Sequence, residues 1–124
     1  MTVEVMKERT KNFALRVIRL CRAIQPGQEG KIIGRQLLRS ATSVVANYRS
    51  ACRARSRADF VSKLGVVLEE ADESLFWLEL IVEARLAREE VVRLLRQEGN
   101  ELVAILTASL LTAKARNQNL RSKI

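Results

Sequence analysis

At 124 residues, 48 % of them hydrophobic but only 4 % aromatic, the chain is sized for one domain with a core of Leu, Val, Ile and Ala. Its formal net charge of +8 favours a polyanionic partner: RNA, DNA or an anionic membrane surface. Histidine is absent, which removes the usual general base, nucleophile activator and metal ligand at neutral pH. Cys21 and Cys52 lie far apart without metal-ligand spacing and read as buried free thiols of a reducing compartment. No cofactor is expected. No signal-peptide pattern is visible, and no apolar run approaches the roughly 18 residues of a membrane span, so the expected location is cytoplasmic.

Four amphipathic segments follow one another. The first covers about residues 5–24, where Met6, Phe13, Val17, Leu20, Cys21 and Ile24 fall on one side at 100° per residue. QPGQEG (25–30) stops it, because Pro and Gly oppose helix continuation. The second runs about 31–54 with Ile33, Leu37, Ala41, Val44 and Tyr48 as its stripe. The third runs about 57–86. Ser56 and Asp59 resemble a capping box with Asp in place of Glu. Its core stripe is Phe60, Leu64, Val67, Leu68, Ala71, Leu75, Leu78, Val82 and Leu86. The fourth runs about 89–116, opened by Glu89 and Glu90, with Val91, Leu95, Leu102, Leu106 and Leu110 facing inward. Residues 117–124 read as a polar, frayed tail. The short joints force antiparallel neighbours, so the expected architecture is all-α, an up-down-up-down four-helix bundle over 1–124.

Two faces are left over. Val66, Phe76, Trp77 and Leu80 project away from the core stripe of the third helix. They are either the edge of a wide core or a subunit interface, since aromatic residues anchor interfaces and monomers avoid exposed apolar patches. Charge is also segregated. Residues 25–57 carry seven basic and one acidic residue, and residues 58–87 carry two basic and seven acidic. On the second helix Lys31, Arg35, Arg39, Arg49 and Arg53 lie within about 80° of one another, opposite the core. Arg55 and Arg57 extend this cationic ridge into the joint. Three readings stand for it: a solvated face, pairing with the acidic third helix of a neighbouring subunit, or phosphate binding through the planar guanidinium fork. The ridge carries no aromatic stacking platform, Tyr48 lying on the core side, so backbone contact without sequence reading is the expected mode.

The stretch LLRSATSVVANYRSACRARSRADFVSKLGVVLEEADESLFWLELI (37–81) resembles the signature of the bacterial 23S rRNA intervening-sequence proteins. Arg39, Ser40, Ala41, Ser43 and Asn47 match that family's second helix. Arg55, Ser56 and Phe60 match its joint, and Glu73, Ser74, Leu75 and Glu79 match its third helix. Residues 101–116 look like its fourth. Where many members continue Asn-Ile-Ala-Glu-Gly, this chain has Asn47, Tyr48, Arg49, Ser50 and Ala51. The resemblance implies a homopentameric ring of up-down bundles. It also implies kinship with the accessory variability determinant of diversity-generating retroelements, a basic pentamer that binds nucleic acid and a reverse transcriptase.

Catalysis finds little support. Glu69/Glu70 and Asp72/Glu73 read as solvated or subunit-facing charges, since bundle di-metal sites use core-facing Glu and Glu-x-x-His. GQEGKIIG (27–34) lacks the spacing of a phosphate loop. Ser40, Ser43 and Asn47, at the core edge, read as inter-helix hydrogen bonders without a base to activate a nucleophile. The expectation is a non-catalytic homo-oligomer that holds RNA or DNA by its phosphates, with a reverse transcriptase as a further partner implied by the resemblance. The alternative is a structural scaffold or protein-interaction ring. Membrane binding ranks last, because no helix pairs a strong apolar free face with a basic one.

Overall fold

Periodicity turns into four helices with shifted ends. A computed structural model describes residues 1–122, with side chains as far as Asn119. α1 spans Val3–Ala23, α2 Gln28–Ala51, α3 Arg57–Glu83 and α4 Glu89–Ser122, and no strand occurs among the described residues. The Gln25 N–H donates to the Leu86 carbonyl at 3.2 Å, so the α1–α2 and α3–α4 joints meet at one end of the molecule. That fixes the up-down-up-down order. Each helix packs on its two neighbours around a square; α2 and α3 share the most extensive contact, α1 and α4 the least.

The ends have local causes. Thr2 accepts from Val5 N–H at 3.1 Å and caps α1. Gly27 stands before α2 at φ 149°, a region open to glycine, and lets the helix start at Gln28, three residues earlier than the pattern suggests. Gly30 then permits a close approach: a Cβ there would lie 2.6 Å from the Gln25 carbonyl oxygen. Ser56 caps α3 by accepting from Asp59 N–H at 3.0 Å. The reciprocal half of the capping box is replaced: the Asp59 carboxylate accepts from Arg55 N–H at 3.3 Å and meets Lys63 Nζ at 3.1 Å. α3 ends at Glu83 rather than 86 in a Schellman turn, with Leu86 N–H on Ile81 O and Arg85 N–H on Val82 O. Arg85 takes φ 59° there, a place glycine commonly holds.

α4 does not stop near 116. No Gly or Pro follows Gly99, the residues from Leu110 onward include good helix formers, and the helix continues to Ser122. Of the tail read as frayed, 117–122 is therefore helical, and Lys123 and Ile124 lie outside the described residues.

The core follows the stripes, with three amendments. Phe13, Val17, Leu37, Val44, Leu64, Val67, Leu78, Leu102 and Leu106 are fully buried. Ile81 joins them, and Ser40 and Ser74 meet across α2 and α3 at 2.9 Å. On α4, Val92 is buried and Val91 is 56 % exposed, the reverse of the expectation. The α1–α4 seam is the loosest of the four, and Arg9 of α1 closes part of it with hydrogen bonds to Glu98. Every buried side-chain nitrogen or oxygen among the described residues has a partner.

Candidate nucleic-acid interface

The outer side of α2 places the cationic residues in two groups rather than one ridge. Lys31 and Arg35 lie near its start; Arg49, with Arg53, Arg55 and Arg57 of the joint and the start of α3, lies at its other end. Arg35 and Arg49 are separated by about 21 Å of helix at 1.5 Å per residue. All six are exposed, and none has a carboxylate within ion-pair distance among the described residues. Arg55 still lies close enough to Asp59 to favour its charged form, though Lys63 does more to hold that carboxyl below its ordinary value.

Arg39, between the two groups, does something else. It reaches across to α3, where its guanidinium meets Glu70 at 3.1 Å and also donates to Glu73. Glu73 accepts in addition from Trp77 Nε1 at 3.2 Å. Arg39 is consequently held more strongly cationic, chiefly by Glu73, and Glu73 is held below its ordinary carboxyl value, chiefly by Arg39. Pairing with α3 thus occurs inside one chain, an arrangement absent from the three readings of the ridge. Asn47 also departs from expectation: its amide donates to the Ser43 carbonyl of its own helix at 2.8 Å, so among the three polar residues read as inter-helix bonders it is Ser40 that crosses to a neighbour.

The second leftover face is divided too. Val66 and Phe76 are exposed, Phe76 by 51 %. Trp77 and Leu80 are half-buried, and Trp77 packs against the core with its N–H satisfied. The rings of Phe76 and Trp77 meet edge to face, centroids 4.9 Å apart. Glu69, Asp72, Glu79 and Glu83 of α3 are exposed. A further apolar surface escaped the sequence reading: Val91 and Leu94 stand 56 % and 55 % exposed on α4. The interval of three between them puts both on one side of α4, and Val91 shares a groove with Arg16, Arg19 and Leu20 of α1.

At the end of the bundle opposite Gln25, a cleft of about 780 Å³ opens between the N-terminus, the α2–α3 joint and α4. Arg55, Arg57 and Arg116 line it. Burial, followed by the neighbouring Cys52, pushes the Tyr48 phenol in its wall up to about 12. Among the described residues no three His, Cys, Asp or Glu gather as a metal ion would need. Nor is any described helix long and apolar enough to cross a membrane.

The 23S rRNA-intervening sequence protein family matches residues 3–108. The chain belongs to that family. A solved structure supports the same fold: a protein of unknown function of the S23 ribosomal protein family from Bacteroides thetaiotaomicron, 34 % identical, with a TM-score of 0.82. The match covers 89 % of this chain and 98 % of that one. No match is found among curated proteins. The family match ends at residue 108, so Thr112, Arg116 and the last turns of α4 lie beyond it.

Proposed function

We propose that this chain is a non-catalytic, homo-oligomeric nucleic-acid-binding protein that holds RNA or DNA by its backbone phosphates. One observation carries the reading. Six cations, Lys31, Arg35, Arg49, Arg53, Arg55 and Arg57, stand exposed without an ion pair among the described residues, on a chain whose net charge is +8. Arginine and phosphate match in charge and geometry, and an interface of this kind weakens steeply with salt. Assembly as five subunits, and a role beside a reverse transcriptase or an rRNA insertion, rest on the family resemblance; exposed Phe76 and Val66 supply an apolar surface for the subunit contact.

A scaffold or protein-interaction ring is the second reading, and Arg39 favours it. Its pairing with Glu70 and Glu73 demonstrates that α2 arginines can be satisfied by α3 carboxylates. The test is binding of the purified protein to structured RNA, duplex DNA and single strands across a salt series. Tight binding is expected, with log affinity falling by about 0.7–0.9 per phosphate neutralised for each decade of salt. Replacing Arg35, Arg49 and Arg53 together by Ala should cut that slope by about two to three and leave the oligomer intact. No binding at low salt overturns the nucleic-acid reading, and dissociation of the oligomer in the triple variant favours the ring.

A further inference from the structure

The cleft at the joint end differs from the outer face of α2 in one chemical respect: it joins cations to an aromatic ring. Arg55 and Arg57 come from the α2–α3 joint and the first turn of α3; Arg116 comes from α4. Tyr48, Cys52 and Phe60 line the same space. No Asp or Glu is among its lining residues. Outside the lining, Asp59 meets Lys63 at 3.1 Å and accepts from the Arg55 N–H at 3.3 Å, and Glu4 meets Lys7 at 3.7 Å. None of the three arginines has an ion pair among the described residues. At about 780 Å³ the cleft falls in the size range of small-molecule and cofactor sites.

We propose that this cleft takes the phosphorylated terminal nucleotide of a single-stranded nucleic acid, its phosphate among Arg55, Arg57 and Arg116 and its base against Phe60. Guanidinium groups from separate elements favour a compact dianion, and an aromatic wall favours a planar base of any sequence. A strand, rather than a free nucleotide, fits the surroundings. Arg49 and Arg53, at the same end of α2, are exposed and have no ion pair among the described residues, so the phosphates behind the terminal one meet further positive charge. The inference rests on the nucleic-acid reading for the class of partner. It assigns an end-recognising site that shares Arg55 and Arg57 with the cationic surface of that reading and adds Arg116 and Phe60.

Cys52 supplies the readout. It lines the cleft, whereas Cys21 lies elsewhere and bonds the Gly34 carbonyl; pushed up to about 11 by burial, Cys21 labels more slowly and is followed over longer times as an internal control. The intact protein is alkylated with iodoacetamide, and each cysteine is followed by mass spectrometry. A 5′-phosphorylated oligouridylate should slow labelling of Cys52 several-fold and leave Cys21 unaffected. The same strand without its terminal phosphate, a blunt duplex and free UMP should each protect much less. Arg116→Ala, and Phe60→Leu, which keeps an apolar side chain against the core, should each weaken single-strand binding about tenfold. Arg35→Ala with Arg49→Ala should leave the protection by saturating strand in place.

Unchanged Cys52 labelling under saturating strand, or an Arg116→Ala protein that binds the strand as the parent does, overturns the proposal. Equal protection by UMP overturns the assignment to a strand end. Failure here is separable from failure of the broader reading: duplex binding that depends on Arg35 and Arg49 while Cys52 stays unprotected removes the cleft alone. No binding of any probe removes both.

Discussion

Arg39 shows how a single residue is claimed by tertiary contact. In sequence it is one of a file of cations spaced for one helix face; in the fold it joins Glu70, Glu73 and, through Glu73, the Trp77 indole. Because the folded state holds Glu73 below its ordinary value of 4.5, the carboxylate's contribution is complete above that value. It is lost as pH falls through the lower, folded value. Asp59 shifts in the same direction from 3.8, so acid sensitivity has at least two sources. The urea midpoint of the native protein should therefore fall as pH drops below about 4.5, and Glu73→Gln should flatten part of that fall. Parallel curves for the two proteins would remove Glu73 from the account.

At the scale of elements, the joints decide where helices begin and end. The α1–α2 turn folds the Gln25 carbonyl onto the first turn of α2, against the one residue type that leaves room for it. Gly30→Ala therefore sets two effects against each other. Alanine improves helix propensity by about 0.5–1 kcal/mol. The new Cβ would meet backbone at 2.6 Å, which no side-chain rotation relieves. Overpacking of this kind costs about 1–3 kcal/mol, so the variant should be less stable, as read from urea unfolding. A variant of raised stability would mean that the turn moves aside freely. The α3–α4 joint uses a different device, a Schellman turn in which Arg85 occupies the left-handed position and Leu86 is buried.

Across the whole molecule, the tightest seam and the charge boundary coincide. α2 carries the basic surplus and α3 the acidic one, and these two helices share the largest contact of the bundle. Arg39 is the point where the two meet; the remaining cations face outward beside the acidic outer side of α3 and its exposed Phe76. Such a molecule offers a neighbouring copy both an apolar anchor and opposite charges. In the proposed homo-oligomer, Phe76→Glu should separate the subunits, seen as a fall in mass by light scattering. Because Phe76 is 51 % exposed in the single chain, the released subunit should stay folded and lose about 0.5–1.5 kcal/mol with the Trp77 ring contact. An assembly unchanged in mass would point instead to another exposed apolar surface, such as Val91 and Leu94 on α4.

The number, order and inner faces of the helices were determined by the sequence alone. Apolar residues at intervals of three and four admit one burying face per helix, and Leu37, Ala41, Val44, Leu64, Val67, Leu78, Leu102 and Leu106 occupy it as their spacing requires. Ser56 likewise marks the start of α3, because an N-cap is a local bond between neighbours in the chain. What required the tertiary structure were the contacts between helices. Val91 and Val92 flank the same inward direction, and the packing around α4 covers Val92 and leaves Val91 open. The cationic file breaks at Arg39 because α3 brings two carboxylates to it from more than thirty residues away. Arg116 joins Arg55 and Arg57 because antiparallel packing returns α4 to the end where α2 hands over to α3. Periodicity encodes which side of a helix turns inward; it carries no information about what the neighbouring helix places against the other sides.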